Sequence, residues 1–156
     1  SAKECAMLEN VLGSADFNAL MKRHATDLME MLLNKGINSS LLTNIADVSF
    51  SPPLPEHISK GFKPITMFFL AGYTFESTQI YNGVISFEAG FGSDNFGSLV
   101  SVPVECVLQV IIEEIPVFIN LSNPLKKEEP KPKDNGIKRS MDALMSNPQN
   151  KKLLKN

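Results

Sequence analysis

Residues 84–112 limit the possible folds of this chain more than any other stretch, because they fit a strand, a glycine-rich turn, a second strand and a short apolar segment that Pro103 opens. Asn82-Gly83, just before them, is a strong signal for a β-hairpin, since both residue types tolerate positive φ. Val84–Phe91 fits one strand, 92–97 a glycine-rich turn and 98–102 a second strand. The sequence therefore predicts an antiparallel meander in this part of the chain.

An amphipathic helix is predicted before the β region. Apolar residues recur over 16–35 with a period close to 3.6, which places them on one face. Ser14 or Asp16 can cap the start of this helix, and Gly36 suits the left-handed position after its end. Residues 1–13 form an N-terminal extension with a weaker helical pattern. The fold class predicted from these segments is α+β, mainly β.

The remaining β region carries weaker signals. Three prolines make 51–56 a rigid loop, because proline fixes φ and removes a hydrogen-bond donor. Residues 104–112 follow a proline, as a first helical turn would, yet they are rich in Val and Ile. Both a helix and a strand remain open there. Further strands are predicted at 42–50, Ile65–Leu70, 73–81 and 117–121.

The composition changes after residue 122. Residues 123–156 contain nine basic and four acidic side chains, whereas residues 1–122 contain six basic and thirteen acidic ones. The charged, proline-rich segment 125–133 cannot bury enough apolar surface to offset the entropy of ordering. We therefore predict a domain over 14–122 and a flexible tail over 123–156. The net negative charge of residues 1–122 argues against nucleic-acid binding by this part of the chain, because such binding depends on Lys and Arg.

No residue pattern indicates catalysis, a metal or a cofactor. His24 and His57 lack neighbouring ligands at metal-site spacing, and the common hydrolase and phosphate-loop motifs are absent. Cys5 and Cys106 lie far apart and fit reduced thiols, Cys106 as a packed side chain. No apolar run approaches the roughly 18–20 residues of a membrane span, and no signal peptide is evident. The expectation is a cytoplasmic protein that is not an enzyme.

The order of these elements resembles the stringent starvation protein B family (SspB), adaptors that deliver ssrA-tagged proteins to the ClpXP protease. The resemblance covers about residues 17–121 and rests on Leu54-Pro55, Ile65–Leu70, Val84–Phe91 and the VSVP of 100–103. It implies a helix followed by a small, Sm-like, partly open β barrel or sandwich. It also implies a groove that binds a short degron peptide. An adaptor of this kind requires no catalysis by its own chain.

The resemblance assigns roles to three sets of residues. The peptide-binding set is Phe69, Leu70, Ala71, Gly72, Ala89, Gly90 and Phe91, where small residues admit a peptide backbone and aromatics supply pockets. The helix contributes Leu20, His24, Leu28 and Met31 to a homodimer interface. The tail would dock on the ClpX unfoldase through Lys151, Lys152, Leu153, Leu154 and Lys155.

One departure from the family pattern concerns the ligand. Where the family has Asn-Ala-Arg-Phe at the strand end, this chain has Glu88, Ala89, Gly90 and Phe91. An acidic tag would lose a charge-assisted hydrogen bond, so the peptide preference is expected to differ.

Two other functions remain open: an Sm-like RNA-binding module that uses the basic tail, and a β barrel that binds a small molecule in a closed apolar pocket.

Overall fold

The computed structural model describes the backbone of residues 2–122 and the side chains of residues 6–122. Over this range the chain forms two helices and then two antiparallel four-stranded sheets, which do not close into a barrel. The predicted α+β fold is confirmed. The predicted ClpX-docking residues lie outside the described residues.

The two N-terminal helices begin and end within one residue of the positions that the sequence predicts. Helix α1 covers Ala2–Leu12, and α2 covers Ala15–Lys35. Ser14 caps α2, because its Oγ accepts a hydrogen bond from the N–H of Phe17 at 3.1 Å. Gly36 ends the helix at φ 71°, a left-handed conformation that glycine adopts without steric cost.

The strands form two sheets, with two short helices between them. In chain order the elements are β1 (Ser39–Asn44), β2 (Ser49–Ser51), α3 (Glu56–Ser59), β3 (Ile65–Leu70), α4 (Gly72–Glu76), β4 (Gln79–Tyr81), β5 (Val84–Phe91), β6 (Phe96–Pro103), β7 (Val107–Ile112) and β8 (Ile115–Ile119). Sheet A has the order β3-β1-β7-β8, and sheet B has the order β2-β6-β5-β4. The predicted hairpin at Asn82-Gly83 joins β4 to β5, with φ of 55° and 76° at the two residues.

The prediction of one strand over 42–50 is wrong. A turn of 3-10 helix at Ile45–Asp47 separates β1 from β2, and the two strands belong to different sheets. The side chain of Asn44 accepts a hydrogen bond from the N–H of Ala46 at 3.1 Å, which stabilises this turn. A local side-chain bond thus ends the strand despite the apolar residues that follow.

Two other segments combine helix and strand. The predicted strand over 73–81 is confirmed only at β4, because Gly72 turns the chain at φ 59° into the short helix α4. In 104–112 both alternatives occur: a 3-10 turn at Val104–Cys106 follows Pro103, and β7 comes after it.

One hydrophobic cluster joins α2 to both sheets. Helix α2 contributes Ala25, Met29 and Leu32, which are at most 1% exposed. Sheet B contributes Phe87, which is fully buried, and removing such a ring costs about 3–5 kcal/mol. The other buried apolar members are Leu41, Phe68, Leu70, Ile85, Val100, Val102, Val104, Val107, Val110 and Phe118.

A cluster of aromatic rings holds the proline-rich loop, residues 51–56, against the end of sheet B. The rings of Phe50, Phe62 and Phe91 lie with their centroids 5.7 to 6.0 Å apart, a favourable spacing for edge and stacked contacts. The hydroxyl of Ser98 also donates to the carbonyl of Pro52 at 2.8 Å. These contacts hold Pro52 next to Ser98 at the end of sheet B.

Candidate functional site

An open groove of about 500 Å³ lies on the outward face of sheet B. Its floor comes from β5 and β6, one wall comes from α4, and the other wall comes from the end of β2 and the start of the proline-rich loop. The lining residues are Ser51, Pro52, Tyr73, Thr74, Glu88, Ala89, Gly90, Asn95, Gly97, Ser98 and Leu99.

The floor is low because two glycines lie opposite each other. Gly90 on β5 pairs with Gly97 on β6, so both would direct a side chain to the same face. A Cβ added at Gly97 would meet no atom within 4 Å, whereas a Cβ at Gly90 would overlap the carboxamide of Asn95. Between Gly90 and Gly97 the floor of the groove is therefore backbone with the amide side chain of Asn95 laid across it. The side chains of Glu88 and Leu99 lie beside this part of the floor.

The wall formed by α4 is tied to β5 at Glu88. The hydroxyl of Tyr73 donates to Oε1 of Glu88 at 2.7 Å, and the backbone N–H of Glu88 donates to Oγ of Ser77 at 2.8 Å. The hydrogen bond and charge of Glu88 raise the pKa of Tyr73 above its ordinary value. The phenol therefore remains protonated, and remains the donor, at neutral pH.

The edge of β5 beside this wall is not covered by a strand along its whole length. β4 pairs only with Val84–Ser86 of β5, and the N–H of Glu88 points toward the same side, to Ser77. Because main-chain groups alternate along a strand, the N–H and C=O of Gly90 also point toward this side. Main-chain groups at a strand edge that no neighbouring strand covers are those to which an added peptide strand hydrogen-bonds.

The structure brings some of the predicted peptide-binding residues to this groove. Ala89 and Gly90 line it, and Ala71 and Gly72 lead directly into the α4 wall. Phe91 is half-buried in the aromatic cluster, where it supports the opposite wall. Two of the seven predicted residues therefore line the groove, and Ala71, Gly72 and Phe91 lie next to its walls.

The other two predicted groove residues do not reach it. Leu70 is fully buried in the core, because it faces inward from β3. Phe69 faces outward from sheet A, is 65% exposed and lines a separate cavity of about 320 Å³ with Ile37, Ser40 and Ile111. Alternation along β3 sends these neighbours to opposite faces, and the prediction from sequence grouped them by proximity in the chain.

Sequence reasoning missed the polar lining of the groove. Tyr73, Thr74 and Asn95 were not predicted as site residues, although the left-handed Asn95 at φ 52° in the β5–β6 turn places its amide over Gly90. Asparagine in a turn rich in glycine is a usable signal for that conformation. The approach of α4 to β5 is a tertiary contact that no local pattern encodes.

The predicted interface residues lie along one side of α2. Met31 is 42% exposed and His24 is exposed, while Leu20 is half-buried and Leu28 packs partly against the core. Met7, Leu8 and Val11 on α1 are also more than half exposed. The helical segment therefore presents apolar side chains to solvent, as an association surface would.

The described residues show no arrangement typical of a metal or nucleophilic site. Within this part of the chain no group of three or more His, Cys, Asp or Glu side chains could hold a metal ion. Burial, with Asp47 and Glu105 nearby, raises the pKa of Cys106 to about 11, so its thiol is protonated at neutral pH. In the described range no helix has the length and apolar character to cross a membrane.

No protein-family model matches this chain, and no curated protein matches it with significance.

Proposed function

We propose that this protein is a cytoplasmic adaptor that captures degron-like peptides, of the ssrA kind, and delivers the tagged proteins to the ClpXP protease. The observation that carries the proposal is the groove on sheet B. A floor that is open above Gly97, beside a partly open strand edge, suits a peptide backbone, which needs close approach and main-chain partners.

The lining of the groove favours a peptide over the other two ligand classes. Among the described lining residues Glu88 is the only charged one, so the groove offers no cation to an RNA phosphate. In the described part of the chain the two sheets share one apolar core and do not close into a barrel. These features support the adaptor more than an RNA module or a small-molecule barrel.

Delivery would depend on the tail and on dimerisation. In the proposal, the segment from Lys151 to Lys155 contacts ClpX while 123–150 acts as a tether, so that capture and docking reinforce each other through effective concentration. A homodimer formed through α2 would supply two such tails. Weak binding of the tag in the groove and weak docking of the tail on ClpX then suffice together for delivery.

The test is a degradation assay with purified ClpXP and a fluorescent protein that carries an ssrA-type tag. The full chain is expected to lower the KM for this substrate without changing its maximal degradation rate. A Leu153→Asp/Leu154→Asp variant should still bind the tag peptide but no longer lower the KM. Unchanged degradation with the full chain, when the tag peptide is bound, would contradict delivery to ClpXP.

A further inference from the structure

The groove carries a net negative charge at a defined point. Glu88 lies on its floor, and the described lining residues include no Lys, Arg or His. The surrounding domain has the same sign, because residues 1–122 hold thirteen acidic and six basic side chains. A ligand that enters the groove therefore meets a field that favours positive charge.

The carboxylate of Glu88 is held in place before any ligand arrives. Its Oε1 accepts the hydroxyl of Tyr73 at 2.7 Å, while its backbone N–H is fixed to Ser77 at 2.8 Å. A carboxylate has about four acceptor positions, and the phenol uses one of them. The group can thus accept further hydrogen bonds, and because the phenol already restrains its side chain, less entropy is lost when a ligand binds.

Apolar surface lies on both sides of this carboxylate. Leu99 pairs with Glu88 across the β5–β6 ladder and is 40% exposed. Tyr73 is 66% exposed and leaves part of its ring in solvent. A long basic side chain fits such a place, because its methylene stem covers apolar surface and its charged end reaches a carboxylate or a ring face.

We propose that the groove selects peptides that carry a lysine or arginine, whose side chain packs against Leu99 and Tyr73 and binds the carboxylate of Glu88. This inference rests on the proposed capture of peptides by the groove and specifies which peptides are taken. Peptides with an acidic residue at that position bind more weakly, because they meet Glu88 as a like charge.

The experiment uses the full chain and N-acetylated, fluorescein-labelled ssrA peptides, so that only side chains supply positive charge. Three peptides are compared. The acidic peptide keeps the acidic residues of the tag, the glutamine peptide has them replaced by glutamine, and the lysine peptide has them replaced by lysine. Anisotropy titrations are made with the native chain, with Glu88→Gln and with Glu30→Gln. The last variant removes the same charge from an exposed position on α2.

The native chain is expected to bind the lysine peptide about fivefold more tightly than the glutamine peptide, with the acidic peptide weaker still. Glu88→Gln should abolish this preference, Glu30→Gln should retain it, and added salt should reduce it. Binding with equal affinity for all three peptides, or a preference that survives Glu88→Gln, would overturn the charge selection and leave peptide capture standing. Binding of none of the three would count against both the selection and the proposed function.

Discussion

Replacing Gly90 by alanine is expected to impair ligand binding far more than it affects folding. The new Cβ would overlap the side-chain amide of Asn95, which lies over the floor of the groove. Gly90 does not have a positive φ, so alanine can adopt its backbone conformation. The change therefore acts through the side chain of Asn95 and through the space above the floor.

The expected effect on stability is small because two terms oppose each other. Alanine restricts the unfolded chain and stabilises the protein by about 0.4–1 kcal/mol. Moving Asn95 away from its preferred rotamer costs about 0.5–1.5 kcal/mol. At Gly97 the added methyl meets nothing within 4 Å, so Gly97→Ala should show only the favourable term. Urea denaturation followed by circular dichroism measures both differences.

The effect on affinity follows from the closeness that a peptide backbone needs. A methyl group at Gly90 and the displaced amide of Asn95 fill the space above the floor, and a peptide that loses one main-chain hydrogen bond by being held off this floor binds more weakly by about 1–1.5 kcal/mol, or fivefold to tenfold. Anisotropy of a labelled ssrA-type peptide tests this. Unchanged affinity in a stably folded Gly90→Ala protein would refute the assignment of the floor. If the variant instead fails to fold, adding Asn95→Gly should restore folding, because the obstructing amide is removed.

Three further predictions concern the rest of the domain. Asn120→Ala should lower the free energy of unfolding by about 2–4 kcal/mol in a urea titration, because the buried Nδ2 donates to two main-chain carbonyls that would lose this partner; a loss below 0.5 kcal/mol would contradict it. Met31→Glu should convert a dimer to a monomer in light scattering, while Arg23→Gln, with the same charge change on α2, should not; a Met31→Glu dimer with an intact fold would refute the interface. In a Cys5→Ser background, Cys106 should react with a maleimide at pH 7.5 about 100-fold more slowly than in the urea-unfolded chain, because its pKa is raised from 9.0 to about 11; equal rates would contradict this.

The raised pKa of Cys106 also sets the sign of a pH effect on stability. The unfolded thiol ionises near pH 9 and the folded thiol near 11, so the contribution to stability is complete below about pH 9. It should be lost as the pH rises from 9 toward 11, and a Cys106→Ala variant should lack that part of the decline.

The sequence predicted those elements whose signals are local. The helix from Ala15 to Lys35 was found because Ser14 and Gly36 mark its ends, and the β4–β5 hairpin because Asn82-Gly83 permits positive φ. These residues determine backbone conformation by their own chemistry, with little help from tertiary contacts. Agreement at such positions is therefore expected for any chain with the same residues.

The candidate site could be predicted only in part, since it depends on tertiary contacts. Gly90 and Ala89 were found because small residues in a strand suggest a close approach. The contact between Tyr73 and Glu88 joins residues fifteen positions apart through α4, a helix that the residue pattern did not indicate. Phe69 was misplaced because the sheet to which β3 belongs is not encoded in its own residues.

The most direct test of the account is an NMR titration of the isotopically labelled full chain with an unlabelled ssrA-type peptide. Binding by strand addition predicts that the amides of Glu88, Gly90 and Gly97 shift most and that the amide of Gly90 becomes protected from hydrogen exchange. Shifts confined to the separate cavity beside Phe69 and Ile111, or no shifts at saturating peptide, would contradict the assignment of the sheet B groove as the binding site.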